Sequence, residues 1–354
     1  MAGDIGVKAA PLYTLEKFSA VEDLGHGSFG MVRRVINSDT GEVFAMKVLE
    51  KEKVVERELE EQLRREVLTQ RRVQHANVVR LHYYFEDKDR IYCLLEYADR
   101  GPLFSYLRVY GGHLPERGAA RLFADTASGV AYLHGLNIAH RDLKPENILL
   151  FGEAPRAKIG DFGWCVELTS EAPTRRTFCG TLDYIAPEML RGEPHNTAID
   201  LWALGVLMFE MLVGRAPFAA ESQKESMDSI CAVRFELPDS VAKGPQALIR
   251  GMLRRKPQER MPLAEVLKHP WLRPPGRELD LDQGEVLLDV TRPMHRPELD
   301  ATRPMQRPHG GAAAAGAAAG AAGAPGAAEQ DSMEKTRIVQ RYQAPPAGGG
   351  GAAA

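Results

Sequence analysis

Eight consecutive residues, His140-Arg141-Asp142-Leu143-Lys144-Pro145-Glu146-Asn147, followed by Asp161-Phe162-Gly163, constrain this chain more than any other stretch. They bring an acid, a lysine and an amide onto one short loop, with a second acid 19 positions after the first (161 − 142). That set suits the movement of a phosphoryl group from a nucleotide to a hydroxyl. Asp142 can accept the hydroxyl proton, Asn147 and Asp161 can hold a divalent metal, and Lys144 can neutralise charge on the moving group. An ordinary surface loop has no chemical need for all of these residues in this order.

The motif set resembles that of the protein kinases, over residues 18–272. The resemblance implies an α+β, two-lobed fold. A small, mostly β lobe with one key helix spans about 18–95, and a larger, mostly α lobe spans about 99–272. It also demands a Gly-rich loop, a strand lysine and a helix glutamate upstream, and Ala-Pro-Glu downstream. Gly25-His26-Gly27-Ser28-Phe29-Gly30-Met31-Val32 has the G-x-G-x-x-G-x-V form. Gly25, Gly27 and Gly30 let backbone lie close over phosphates. The same pattern also marks dinucleotide sites. Here Val21, Leu24 and Val32, then Val43-Phe44-Ala45-Met46-Lys47-Val48, read as strands, and no helix directly follows the third glycine. Lys47 lies inside an apolar strand, where an unpaired charge is costly, so it needs phosphate and carboxylate partners.

Residues 52–74 are rich in Glu, Arg, Leu and Gln, lack Gly and Pro, and read as helix, with Leu59, Leu63, Val67 and Val73 as its apolar stripe. Glu66 is the expected partner of Lys47, because Gln62-Leu63-Arg64-Arg65-Glu66-Val67 leads into His75-Ala76-Asn77-Val78-Val79 as in kinases. By resemblance, Ile91-Tyr92-Cys93-Leu94-Leu95-Glu96-Tyr97-Ala98 enters the hinge, with Leu95 as gatekeeper and the backbone of Glu96 and Ala98 on the adenine edge. Leu24, Val32, Ala45 and Leu149 would sandwich the ring, although apolar residues there are core under any reading.

Thr177 precedes Phe178-Cys179-Gly180-Thr181, and the segment closes at Ala186-Pro187-Glu188. Phosphate on Thr177 would add nearly two negative charges for Arg65, Arg141 and Arg175 to bind, ordering the loop. The resemblance implies that Thr181 bonds Asp142 and Lys144 under the substrate. It implies too that Glu188 pairs with Arg260 inside the large lobe and that Asp200 anchors the catalytic-loop backbone. Glu146, besides lining the nucleotide site, and Glu210 match positions that bind an arginine two residues before the target hydroxyl. Pro102 stands where a further acid would read the next position out, so Arg-x-Ser/Thr selection is expected, with weak demand further upstream.

Trp164 after Asp161-Phe162-Gly163, Leu182-Asp183 after Thr181, and Gln70 four residues after Glu66 are together similar to the Aurora kinases. Gln70, where most kinases place an apolar residue, needs a partner or a water. Ile185-Ala186, Cys165 and the arginines directly before Thr177 depart from the Aurora pattern. The resemblance implies ATP with Mg²⁺ (or Mn²⁺), action in mitosis, and residence in nucleus and cytoplasm, at spindle, centromere or centrosome. It implies an activating partner on the small lobe, of the inner centromere protein or spindle assembly factor type. The competing readings are another basophilic kinase, cyclic-nucleotide-dependent or calcium-regulated, and a pseudokinase scaffold.

Net charge is −3 and pI about 6.4, which gives no argument for direct nucleic-acid binding. Four cysteines (Cys93, Cys165, Cys179, Cys231) have no metal-type spacing and suit a reducing compartment. Of these, Cys179 lies beside Thr177; it is read as an inert thiol rather than a redox switch. No apolar run reaches membrane-spanning length. A short arm precedes Phe18. After 272 the composition changes, and 273–354 is expected to be disordered. It holds an 11-residue repeat over 288–309, from Leu288-Asp289-Val290-Thr291-Arg292-Pro293 to Leu299-Asp300-Ala301-Thr302-Arg303-Pro304. The repeat reads equally as a docking peptide or a neutral duplication.

Overall fold

The computed structural model describes residues 13–27, 30–56, 60–169, 174 and 182–272. Leu59, Arg175, Thr177, Cys179 and Thr181, the arm before residue 13 and the tail after 272 lie outside these. In chain order the elements are β1 (Phe18–Gly27), β2 (Gly30–Asn37), β3 (Val43–Glu50), α1 (Lys51–Glu56), α2 (Glu60–Arg72), β4 (Leu81–Glu86) and β5 (Arg90–Glu96). There follow α3 (Leu103–Val109), α4 (Glu116–Gly135), β6 (Ile138–Ala139), β7 (Ile148–Phe151), β8 (Arg156–Ile159) and β9 (Val166–Glu167). The chain continues through α5 (Pro187–Leu190), α6 (Ala198–Val213), α7 (Gln223–Ala232), α8 (Lys243–Met252) and α9 (Leu263–Lys268).

The small lobe is an antiparallel sheet of order β1-β2-β3-β5-β4. Successive side chains on a strand face opposite ways. Phe44, Met46 and Val48 of β3 join Tyr92 and Leu94 of β5 in one core, where Phe18, Tyr83 and Phe85 pack. Leu49 of β3 joins Ile91 and Cys93 on the other face, against Leu63 and Val67 of α2. Lys47 shares the Leu49 face by this alternation, so it is turned toward α2.

Of the expected helix over 52–74, the described residues form α1 and α2, and residues 57–59 lie outside those described. Val54 of α1 and Leu63 of α2 are both buried in the same cluster. Within α2, Leu63, Val67 and Gln70 are the buried residues, at helical spacing.

The large lobe is built round α6, a helix buried on nearly every side and flanked by α4 and α8. Trp202, Leu204 and Phe209 are fully buried there, with Leu122, Phe123 and Leu133 of α4 in the same core. A helix apolar all round belongs at the centre of a domain. The short hairpin β7–β8 and the strand β6, paired with β9, join this core through Ile138, Ile148, Leu150, Ala157 and Ile159, and the loop from His140 to Asn147 runs between β6 and β7. Among the described residues, no helix is long and apolar enough to cross a membrane.

Besides the hinge after β5, the link from α2 to β4 is also tied to the large lobe. Ile159 N–H donates to the Asn77 carbonyl at 2.9 Å and Val79 N–H donates to the Ile159 carbonyl at 2.8 Å. Asn77 Nδ2 donates to the Ala157 carbonyl at 2.9 Å. Gly129 of α4 permits this approach, since a Cβ there would lie 2.5 Å from the Asn77 carbonyl oxygen and 2.8 Å from Ile159 Cδ1. Gly129→Ala is therefore expected to cost about 1–3 kcal/mol through forced displacement of backbone. Denaturant unfolding checks this, and an unchanged midpoint would show that the contact yields freely.

Candidate active site

β1 and β2 form the Gly-rich hairpin, with Gly25 opposite Val32 and Gly27 opposite Gly30. A strand, not a helix, follows Gly30, which removes the dinucleotide alternative. A Cβ on Gly30 would fall 1.7 Å from the Val48 carbonyl oxygen, whereas a Cβ on Gly25 would meet nothing within 4 Å. Gly30 is thus required by packing on β3, and Gly25 leaves space beside the hairpin.

Lys47 Nζ lies 2.6 Å from Glu66 Oε1 and 4.0 Å from Asp161 Oδ1. Burial opposes the charge on Lys47, but Glu66 and Asp161 outweigh it and raise the pKa. Lys47 therefore stays cationic at every physiological pH. Asp161 responds in the opposite sense: burial would raise its pKa, but Lys47 and the Gly163 N–H hold it below the ordinary aspartate value. Its side chain remains 48 % exposed, open to a ligand.

The catalytic-loop candidates converge on Asp142. Asp142 Oδ2 accepts from Asn147 Nδ2 at 2.9 Å and lies 3.0 Å from Lys144 Nζ. Its other oxygen, Oδ1, is buried and has no hydrogen-bond partner among the described residues. Asn147 Nδ2 also donates to the Asp142 carbonyl at 2.8 Å, which commits the amide nitrogen and leaves Oδ1 as its cation-binding end. No group of three or more His, Cys, Asp or Glu gathers to hold a metal among the described residues. One carboxylate, Asp161, and one amide, Asn147, suit Mg²⁺, which keeps waters and takes substrate phosphates rather than an all-protein cage.

Asp200, buried in α6, holds the loop from below. Its Oδ2 accepts from His140 N–H and its Oδ1 from Arg141 N–H, both at 2.9 Å. His134 Nε2 lies 2.8 Å from Oδ2. Arg141 has φ +70° and Asp161 φ +52°, left-handed conformations that cost non-glycine residues about 1–3 kcal/mol each. The Asp200 bonds offset that cost at Arg141.

Leu24, Val32 and Leu149 are half-buried and Ala45 is buried, yet none belongs to the three hydrophobic clusters of the described residues. Leu95, opposite Ala45, packs instead against the α2-facing cluster. In the hinge, Glu96 N–H donates to the Arg80 carbonyl at 3.0 Å and the Ala98 carbonyl accepts from Gly101 N–H at 3.2 Å. The Glu96 carboxylate pairs with Lys158 of β8, a partner that the sequence reading had not identified.

The protein kinase domain family matches residues 18–272. Aurora kinase C of Mus musculus is 42 % identical over 267 residues, covering 75 % of this chain and 95 % of that protein. Aurora kinase B of Mus musculus is 40 % identical over 267 residues, covering 75 % of this chain and 76 % of the relative. Aurora kinase B of Danio rerio is 39 % identical over 278 residues, covering 78 % and 86 %. The chain belongs to the Aurora kinases. It is a protein serine/threonine kinase.

In this Aurora-family kinase Gln70 is buried and donates through Nε2 to the Val79 carbonyl at 3.3 Å, so its polar group is satisfied by backbone. Arg141 Nε donates to the Trp164 carbonyl at 2.7 Å, while its Nη1 is buried with no hydrogen-bond partner among the described residues. Arg65 is apart from this, exposed on α2, with Nε donating to the Glu61 carbonyl at 3.1 Å. Cys165, a free thiol, has its pKa pushed well up by burial, which disfavours the reactive thiolate. Ile185 and Ala186 are buried, and Ala186 precedes Pro187 at the first turn of α5. Glu188 and Arg260 form a two-bond pair at 2.7 and 2.6 Å, both residues almost fully buried. Arg260 Nη1 also donates to the Ala198 carbonyl at 2.8 Å, so this pair joins α5 to the start of α6.

Glu146, exposed at the surface, and Glu210, half-buried, are close enough to feel each other's charge and that of Asp183. Burial, then Asp142 and Asp183, raise the pKa of Glu146 against the favourable influence of its own backbone and Lys144. Burial, then Glu146 and Asp183, raise that of Glu210 despite the hydrogen bond from Tyr184 Oη. Carboxylates that push each other up gain most from an incoming cation. Asp183 is a member that the sequence reading treated only as a subfamily mark.

Proposed function

We propose that this kinase transfers the γ-phosphoryl of Mg²⁺–ATP to serine or threonine hydroxyls in Arg-x-Ser/Thr sites, with Asp142 as the base. The reading is carried by Asp142, whose Oδ2 is held by Asn147 and Lys144 while the buried Oδ1 is left to accept a proton. Lys47, oriented by Glu66, takes the nucleotide phosphates. Asn147 and Asp161 hold Mg²⁺, which neutralises charge on the transferring group. Leu24, Val32, Ala45 and Leu149 enclose the adenine under the Gly25-Gly27-Gly30 loop, with Leu95 behind it and the backbone of Glu96 and Ala98 at its edge. Glu146 and Glu210 take the substrate arginine. Thr181 supports Asp142 and Lys144.

Phosphate on Thr177 activates the enzyme by engaging Arg141, Arg65 and Arg175. The buried, unmatched Nη1 of Arg141 supports this, because such a group calls for an anionic partner. Membership of the Aurora kinases supports action in mitosis; the reading adds chromosome and spindle proteins as substrates, residence in nucleus and cytoplasm, and an activating partner of the inner centromere protein or spindle assembly factor type on the small lobe.

Asp142→Asn is expected to lower turnover of a basic peptide by at least about a thousandfold while Mg²⁺–nucleotide affinity stays within threefold. Equal turnover of variant and wild type would remove Asp142 from the chemistry. Thr177→Ala should reduce kcat by more than about tenfold and abolish activation on preincubation with ATP, as followed by peptide phosphorylation. Because the pKa values of Glu146 and Glu210 are raised, they lose charge sooner than ordinary glutamates as pH falls. KM for an arginine peptide should therefore climb as pH is lowered, before ordinary glutamates would titrate, while KM for an arginine-free peptide stays flat. Parallel profiles for the two peptides would count against this pocket.

A further inference from the structure

Three successive backbone carbonyls after Asp161 each have a donor. The Phe162 carbonyl accepts from Cys165 N–H at 3.0 Å, within the turn itself. The Trp164 carbonyl accepts from Arg141 Nε at 2.7 Å, from the catalytic loop. The Gly163 carbonyl accepts from Gln62 Nε2 at 2.6 Å, across 101 sequence positions and from α2. Gln62 stands four residues before Glu66 (66 − 62), one turn earlier on the same helix face. The helix thus grips the site at two successive turns, through Glu66 on Lys47 and through Gln62 on Gly163.

The surroundings of Gly163 explain why an amide stands at position 62. Gly163 N–H donates to Asp161 Oδ1 at 3.2 Å. A Cβ on Gly163 would sit 3.3 Å from that oxygen and 3.6 Å from Glu66 Oε2. Two carboxylates thus lie beside Gly163, its carbonyl is bonded by a donor, and a lysine or arginine at position 62 would compete with Lys47 for Glu66 and Asp161. An acid would repel both. An apolar residue would satisfy packing and leave the carbonyl without its bond. A neutral side chain with the reach of glutamine meets all three conditions.

We propose that Gln62 is a positioning residue that couples the seat of α2 to the orientation of Asp161, so that the Lys47–Glu66 pair and the metal-holding carboxylate are set together. This builds on the assignment of Asp161 to the nucleotide-bound metal and extends it to a residue outside that assignment. Without the bond, α2 still has its Lys47 contact, and the Asp161-Phe162-Gly163 turn keeps the 4.0 Å approach of Lys47 to Asp161 but loses its direct bond to α2.

The test uses Gln62→Leu, which removes the donor, and Gln62→Glu, which keeps the shape and donates only when protonated. In the nucleotide-free protein, amide exchange at Gly163, Trp164 and Cys165 should quicken by about threefold to tenfold in Gln62→Leu, the range of one net hydrogen bond. kcat should fall by a similar factor with peptide KM unchanged, as for lost positioning. In Gln62→Glu the new carboxylate faces the Gly163 carbonyl, with Asp161 and Glu66 beside that residue, Lys47 as the cation on those two acids and Arg141 on the neighbouring Trp164 carbonyl. Its kcat relative to wild type should rise as pH falls from about 8 to 6, while the Gln62→Leu ratio stays level. Unchanged exchange in Gln62→Leu, or a level ratio in Gln62→Glu, overturns the proposal. If Gln62→Leu does not fold, the pH ratio of Gln62→Glu decides alone. A wrong metal assignment would appear separately, as Asp161→Asn retaining Mg²⁺-dependent nucleotide affinity, and would leave the exchange result intact.

Discussion

A carboxylate buried in the central helix of the large lobe supports the whole active centre. Asp200 is 1 % exposed, and burial alone would push its pKa up. His134, His140 and the loop amide of Arg141 overcome that and hold it ionised below the usual aspartate value. A buried charge of this kind is tolerated only when fully bonded. Its bonds to two successive amides force the loop through the left-handed conformation at Arg141. That conformation sends the Arg141 side chain to the Trp164 carbonyl while Asp142 turns into the cleft. Catalytic loop and metal-side turn are therefore built on one anchor, and the Gln62 bond continues the chain of contacts into the small lobe.

The carboxylates of the cleft divide into two electrostatic kinds. Asp161 faces a lysine and an amide and stays ionised below the ordinary range. Glu146 and Glu210 face each other and Asp183 and are pushed up. Similar side chains thus acquire different charge behaviour through their neighbours. Asp142 has one oxygen bonded and the other buried without a hydrogen-bond partner among the described residues.

Much of this centre was legible in the chain because motif residues carry their chemistry with them. The Lys47–Glu66, Glu188–Arg260 and Asp200–loop contacts all followed from position within recognisable strings. The bond from Gln62 to Gly163 and the Lys158–Glu96 pair did not, because each joins segments far apart in sequence, one through a backbone carbonyl that carries no identity.

By itself the sequence determined the reaction class, the residues equipped for it, and membership of the Aurora kinases, since these depend on side-chain types at set spacings. The tertiary structure alone decided which oxygen of Asp142 is open, which carboxylates are raised or lowered, and how α2 is fastened to the turn after Asp161. Those are properties of distance and burial. An electrostatic interaction or a hydrogen bond is fixed by where packing brings two groups in space, and a linear chain does not specify that contact by contact.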